Sequence, residues 1–479
     1  MNYLLNNIKA FNGKTRKFDG NTNVHISDGV IKKVSNDIIK VDVETEILDC
    51  SGFYGIPGIL DIHTHTDFTS HSPIADMYSF NMGVTHQVTG LCGFHPVYSE
   101  SQEKEKFKKS VSFLGDDSSV VNDWYEHDKR IKRSYVKKYQ LLGLNSLLYG
   151  IHDLTNNEAY EKVKRELVKY DFHGVSLGIF YPPFATLPKD RLFKLMKILV
   201  KKIDLPFFYH VRDQRDYAME SYKEVFEFHK GTTTRCHISH LKFSGSKHTY
   251  KINERLKELE RLISSFSFPV SWDAYPFGTS ATTISSLLPE LALMDTEPEH
   301  IDIDRFKKKL ENKTTIDWEN AIVRCNTSYY NDKSISNIAK EMNLSNAEAY
   351  VKVVLDVNSQ GVIMRKTMDE EDVMAICEHP KTIIASDSFG LSSVHPRNYL
   401  TYKKYLKEAF DKGKLEQAVN KLTFLPREIF NNIPTGIEED QKADLVVLSF
   451  DNNNFLDLDQ SVTIHQIFSE GRMISNEHF

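Results

Sequence analysis

Eight short apolar runs, each separated from the next by amphipathic text rich in Lys and Glu, constrain this chain more than any other feature. They occupy 59–65, 84–91, 146–151, 174–179, 206–210, 235–240, 269–273 and 382–386. Strand-like runs alternating with helical ones are the pattern of repeated βα units, which put their strands in one parallel sheet. Eight such units predict an α/β fold, a (β/α)8 TIM-like barrel with its chemistry at the C-terminal ends of the strands. A chain of 479 residues exceeds what one small core organises, so additional structure is expected around the barrel.

That structure has two parts. Short alternating runs split by Gly and Asp turns fill residues 1–55, and similar text returns at 443–448 and 462–468. The two ends are therefore expected to complete one small accessory β-sandwich domain, 1–55 plus 435–479, with a catalytic domain at 56–434 between them. The interval 278–345, after the seventh run, is longer than one crossover needs and reads as a lid-like insertion over the barrel mouth. Phe277, Tyr329 and Tyr330 are its candidate pocket aromatics.

The net charge of −6 gives no electrostatic reason to invoke nucleic acid or an anionic membrane surface. No stretch reaches the ~18 apolar residues of a membrane span. The five cysteines are far apart and never in C-x-x-C spacing, which argues against a disulfide framework and a zinc finger. A cytoplasmic protein in which any functional cysteine acts singly is the expectation.

The run from Gly55 to His65 ends in two histidines one residue apart. Strand side chains alternate, so His63 and His65 point the same way, as two ligands of one metal would. Alone, an H-x-H pair is as readily a pair of turn histidines. Other strand ends add to it: Cys92 on the second, His210 on the fifth, His240 on the sixth and Asp387 on the eighth. Four imidazoles, a thiolate and a carboxylate suit a pair of borderline ions such as zinc, and a thiolate can serve two at once. His237 and His240 compete for the sixth-strand position. They differ by an odd number of residues, so on a regular strand only one enters the site; His240, at the end, is the choice, and His237 is assigned to the layer between barrel and helices.

In the same order, Gly58-Ile-Leu-Asp-Ile-His-Thr-His65, Cys92-Gly93, His210-Val-Arg212, Ser239-His-Leu-Lys242, Asp273-Ala-Tyr-Pro276, Ser386-Asp387, His395-Pro-Arg397 and Ala443-Asp-Leu-Val-Val447 resemble the N-acyl-D-amino-acid deacylases (D-aminoacylases) of the amidohydrolase superfamily. The resemblance spans nearly the whole chain, and Cys92 narrows it to the deacylase branch. It implies a zinc-dependent hydrolase cleaving the amide of small-molecule N-acyl-D-amino acids. Cys92, His210 and His240 would hold a tight zinc, and His63, His65 and Asp387 a second, weaker site. Asp387 would also be the catalytic acid–base, Lys242, Tyr275 and Arg397 would bind the substrate carboxylate, and Tyr181 would stand near the acyl group. Thr66, Leu91, Leu241 and Ser388 depart from the family pattern without removing a ligand. Two alternatives stay open: an amidohydrolase acting on a cyclic amide, dipeptide or other amide, and a non-catalytic assembly protein on the same fold.

Overall fold

The computed structural model describes residues 1–479 except 71, 99–102, 117, 246–247, 289–301, 312–315, 326, 390–394, 431–436, 452–457 and 475–479. Its centre is an eight-stranded parallel sheet running in chain order through Ile59–Asp61, Val84–Thr89, Lys137–Gly143, Gly174–Gly178, Phe207–His210, Cys236–Ile238, Val270–Ala274 and Thr382–Ile384. The ring is completed beyond the ends of its first and last strands. Asp387 N donates to His63 O at 2.8 Å, His65 N donates to Ser388 O at 2.8 Å, and Thr64 bridges Ser388. The strands are buried on both faces, which is why their sequences read as apolar runs rather than clean alternations.

The helices outside the ring follow the amphipathic rule. Lys189–Lys202 buries Leu192, Leu195, Met196, Leu199 and Val200 at three- and four-residue spacing and turns its lysines outward. Asn156–Lys169 begins in a capping box, with the Thr155 hydroxyl and the Glu158 carboxylate each satisfying the other's backbone N–H. Among the described residues no helix is long and apolar enough to cross a membrane.

The third strand corrects the sequence reading. Residues 146–151 are helical and turn structure, Leu144–Leu147 leading into Ile151–Asp153, and the strand is Lys137–Gly143. A short apolar run does not distinguish strand from buried helix. The true strand was hidden by its polar residues: Lys138 donates to Gln87 Oε1 at 3.0 Å and lies 3.5 Å from Asp76, a buried polar network that compensates the charge.

Both ends of the chain share a second sheet, in the order Arg472–Ile474, Val462–Ser469, Leu445–Phe450, Tyr54–Pro57, Asn2–Asn12, Lys17–Ser27 and Val30–Ser35, with Thr45–Asp49 also paired to Asn2–Asn12. It curls around Leu5, Ile8, Val24, Ile31, Leu445, Val447 and Phe468. The long first strand, absent from the sequence reading, is broken by a bulge between Leu5 and Ile8 and by Asn7 at φ 58°, and this spoils its alternation. Part of the expected 435–479 segment, including its first two residues, lies outside the described residues.

Between the seventh and eighth barrel strands the chain inserts an antiparallel sheet of Thr279–Thr283, Val362–Lys366 and Ala321–Arg324. Helices Ile303–Glu311, Ile335–Met342 and Asn346–Asp356 accompany it around Ile284, Phe306, Ile338, Tyr350 and Val354. The expected bounds 278–345 thus stop short of a helix and a strand that complete this unit, and 289–301, 312–315 and 326 within them lie outside the described residues. Tyr330 is turned into the insertion, donating to Asp356, and Tyr329 is exposed, so neither lines the cavity described below.

One glycine joins the two large sheets. Tyr54–Pro57 pairs in the terminal sheet and Ile59–Asp61 in the barrel, leaving Gly58 as the seam. Gly58 N donates to Asp444 O at 3.0 Å, and Arg427, buried, donates to Gly58 O at 2.8 Å and Asp444 Oδ2 at 3.1 Å. A β-carbon on Gly58 would stand 2.1 Å from Thr85 Oγ1 and 2.2 Å from Asp444 Oδ1. Gly58→Ala is therefore expected to cost about 1–3 kcal/mol by overpacking, read as a lowered Tm; an unchanged Tm would show that the seam has slack.

Candidate metal centre

Three strands end in a backbone conformation that non-glycine residues seldom adopt. Cys92 has φ 52°, His240 φ 37° and Asp387 φ 53°. Each stands just past its strand, and the left-handed turn swings its side chain over the barrel axis. Strain of this kind persists only where the surroundings impose it. Here the flanking Leu91, Leu241 and Ala385, buried at 1 % exposure or less, anchor the turns.

The donors converge. Cys92 Sγ lies 3.4 Å from His210 Nδ1 and 3.5 Å from His240 Nε2, and those two nitrogens are 3.1 Å apart. A tetrahedral zinc sets its sulfur and nitrogen ligands about 3.3–3.6 Å from one another. The three atoms therefore fit a common ion. A second group adjoins it: His63 Nε2 and His65 Nε2 lie 3.5 and 3.4 Å from Asp387 Oδ1. Cys92 Sγ is also 3.4 Å from His63 Nε2, so the thiol stands between the two groups.

Electrostatics suit ligation. Burial pushes His210 down to about 3 and His240 well below the ordinary imidazole range, with Lys242 adding to both, so these rings are neutral and offer lone pairs. Burial likewise lowers His65. At His63 burial is outweighed by Asp273, Cys92 and Asp387, which hold it well above. Burial raises the Cys92 thiol, so a thiolate there calls for a cation.

Asp273 orients this group and was not singled out by itself in the sequence. Its Oδ2 accepts from His63 Nδ1 at 3.1 Å and His237 Nε2 at 2.9 Å, and its Oδ1 accepts from the His240 backbone at 2.9 Å. Burial would raise this carboxyl, but His63 and His237 bring it down to about 2. A carboxylate behind a ligating histidine fixes tautomer and ring orientation. His237 is correspondingly reassigned: it stands inside the barrel against Phe208 rather than between barrel and helices. The parity argument fails because the strand ends at Ile238 and the positive φ of His240 breaks the alternation. Two further neighbours carried no sequence signal. The Gln214 amide lies 3.0 Å from His240 Nδ1, and Phe180 stacks on His210 with centroids 5.3 Å apart.

A cavity of about 400 Å³ opens above the donors. Lys242, Arg397 and Tyr181 line it; Tyr275 stands behind them, with Lys242 Nζ 4.7 Å from its ring centre and Arg397 Nη1 3.1 Å from its hydroxyl. Arg397, fully buried, pairs with Asp387 Oδ2 at 2.8 Å. Tyr181 Oη meets Thr282 Oγ1 of the insertion at 3.1 Å. All ten sequence-predicted residues thus gather at one end of the barrel. The departures lie behind the donors: Thr66 donates to Gln87 Oε1 at 2.7 Å, and Leu91 and Leu241 are core.

The ring of parallel strands thus gathers one set of potential metal donors beneath one cavity, and comparison with known proteins shows what the chain is similar to. No family model matches the chain. Over 453 residues it is 23 % identical to the N-acyl-D-aspartate deacylase of Alcaligenes xylosoxydans xylosoxydans, covering 89 % of this chain and 83 % of that one. Over 458 residues it is 24 % identical to the D-aminoacylase of the same organism, covering 90 % and 86 %. The N-acyl-D-glutamate deacylase of Bordetella bronchiseptica, solved with zinc and a phosphonate mimic of the tetrahedral intermediate, superposes with a TM-score of 0.81 at 18 % identity, covering 99 % of this chain and 96 % of that one. Over nearly its whole length, the chain is thus similar in sequence to two D-amino-acid deacylases and in fold to a third.

Asp273→Asn keeps the shape of the orienting group and removes its charge. Metal affinity measured by competition with a chelator is expected to fall roughly 10- to 100-fold; wild-type affinity would mean that the histidines are oriented by other contacts.

Proposed function

We propose that the chain is a zinc-dependent hydrolase of N-acyl-D-amino acids, releasing a carboxylate and the free D-amino acid. The observation that carries the reading is the convergence of Cys92, His210 and His240 beneath a cavity that also presents Lys242 and Arg397. The names of the full-length sequence relatives support the substrate class. The zinc held by the Bordetella deacylase supports the choice of ion. Five unpaired cysteines, four of them buried, fit a reducing compartment such as the cytoplasm.

In this reading Cys92, His210 and His240 would hold the tighter zinc, and His63, His65 and Asp387 would hold a weaker one. Zinc bound there supplies Lewis acidity, lowering the pKa of water and polarising the scissile carbonyl. The rest is done by the chain. Lys242, Tyr275 and Arg397 take the substrate carboxylate, an ammonium and a guanidinium fork neutralising it while the phenol fixes its plane. Tyr181, over the cavity floor, bounds the acyl group. Asp387 Oδ1, facing the two histidines of the second set, takes the proton of the attacking water and passes it to the departing nitrogen. Its Oδ2 is held by Arg397, so the same guanidinium aligns both the base and the substrate. Fixing the carboxylate on one side of the amide lets the wall opposite reject one epimer.

Asp387→Asn should leave fold and tight-site metal content intact and lower kcat by at least about 100-fold; near-normal turnover would remove Asp387 from the acid–base role. A panel of N-acetyl-D-amino acids, their L-epimers, hydantoins and dipeptides separates this reading from action on another amide: turnover confined to the last two would overturn it.

A further inference from the structure

Of the segment His395-Pro-Arg397, the reading above uses only the arginine. His395 is fully buried and is bonded at both ring nitrogens. Its Nδ1 accepts the backbone N–H of Arg397 at 3.0 Å, in the first turn of helix Arg397–Asp411. A ring nitrogen that accepts carries no proton, and burial, then Arg397, bring the imidazole down to about 3, so the ring is neutral and its proton is on Nε2. Nε2 therefore donates to Thr279 O, 3.0 Å away. Phe277 and Tyr275 pack edge-on against the ring, with centroids 5.7 and 6.3 Å from it.

Thr279 opens the outer strand of the insertion's three-stranded sheet. Ile284 N donates to Gly361 O, so along this antiparallel pair residues 280, 282 and 284 turn their backbone groups to the neighbouring strand, and 279 and 281 turn theirs outward. An outward edge in the interior needs partners. His395 takes Thr279 O, and Arg397 Nη2 donates to Ala281 O at 3.3 Å. The same guanidinium meets Asp387 Oδ2 at 2.8 Å and Tyr275 Oη at 3.1 Å. The insertion's edge thus rests on the side chain that orients the base, and His395 is bonded both to that edge and to the backbone of Arg397. We propose that His395 is a positioning residue: a strut between the insertion's first strand and the start of helix Arg397–Asp411, which sets where the Arg397 guanidinium meets the substrate α-carboxylate. The inference rests on the reading above, in which Lys242, Tyr275 and Arg397 take that carboxylate.

The test measures kcat/KM of the zinc-loaded wild type and two variants on N-acetyl-D-leucine and on N-acetyl-D-leucinamide, which lacks the carboxylate charge. His395→Asn keeps an acceptor in the place of Nδ1 but does not reach Thr279 O, whereas His395→Gln puts an amide N–H in the place of Nε2. H395N should lower the preference for the carboxylate substrate by about 10-fold or more, chiefly through KM and with zinc content unchanged, and H395Q should hold it within about 3-fold of wild type. A merely structural role would lower both substrates alike. An unchanged preference in folded H395N, or an equal loss in both variants, therefore overturns the proposal. If H395N does not fold, the wild-type ring decides by 15N NMR: a neutral ring protonated on Nε2 sustains the strut, and a proton on Nδ1 or a charged ring overturns it. If no N-acyl-D-amino acid is hydrolysed, the reading of the reaction fails by itself; in that case, or if the leucinamide is not turned over, the strut is judged by amide hydrogen exchange of residues 279–283. Exchange faster by about 10-fold or more in folded H395N than in H395Q sustains it, and anything less overturns it.

Discussion

The crowding of Cys92, His210 and His240 is the constraint on which the rest of the molecule depends. Two imidazole nitrogens and a thiol stand within 3.5 Å of one another in the interior, and water has little access to them. Burial strips the rings of their protons but also opposes the thiolate, so the group is balanced only when a cation sits among its lone pairs. Left-handed turns at Cys92, His240 and Asp387 are needed to bring donors from three separate strands together. Asp273 then locks the rings by hydrogen bonds to His63, His237 and the His240 backbone. The parallel ring exists, in this view, to hold three strained residues in register.

The outer parts serve that ring. The terminal sheet grips the first barrel strand through Gly58, Arg427 and Asp444, next to the segment that carries His63 and His65. The insertion contributes little to the metal donors and much to the cavity: Ser280, Thr282 and Arg365 come from it, and Thr282 touches Tyr181. Barrel and insertion have separate cores, so the insertion can vary in what it presents without disturbing the donors beneath.

Most of this was legible in the sequence because buried parallel strands write themselves as apolar runs and end in their functional residues. Seven of the eight strands and the six candidate metal donors follow from that, whereas Lys242, Tyr275, Arg397 and Tyr181 came only from the resemblance to the deacylases. The exceptions have a common cause in side chains whose partners lie far away in sequence. Lys138 and Gln140 made the third strand look like a surface segment, because the buried groups that meet them, Gln87 for Lys138 and Thr89 and His127 for Gln140, come from other elements. Asp273 read as one acid in a motif until three donors were seen on it. His237 was misplaced because alternation was carried past the end of its strand, where a positive φ at His240 cancels it.

The central claim is that the Cys92–His210–His240 group binds the zinc that makes the cavity a deacylase site. Its most direct test is the rate of N-acetyl-D-amino acid hydrolysis by metal-stripped protein as zinc is returned, in the wild type and in Cys92→Ala. Activity that is lost on stripping, returns over the first equivalent in the wild type, and stays absent in the folded variant at stoichiometric zinc is the predicted result. Full activity in the stripped protein, or the same zinc response with and without the thiol, would contradict it.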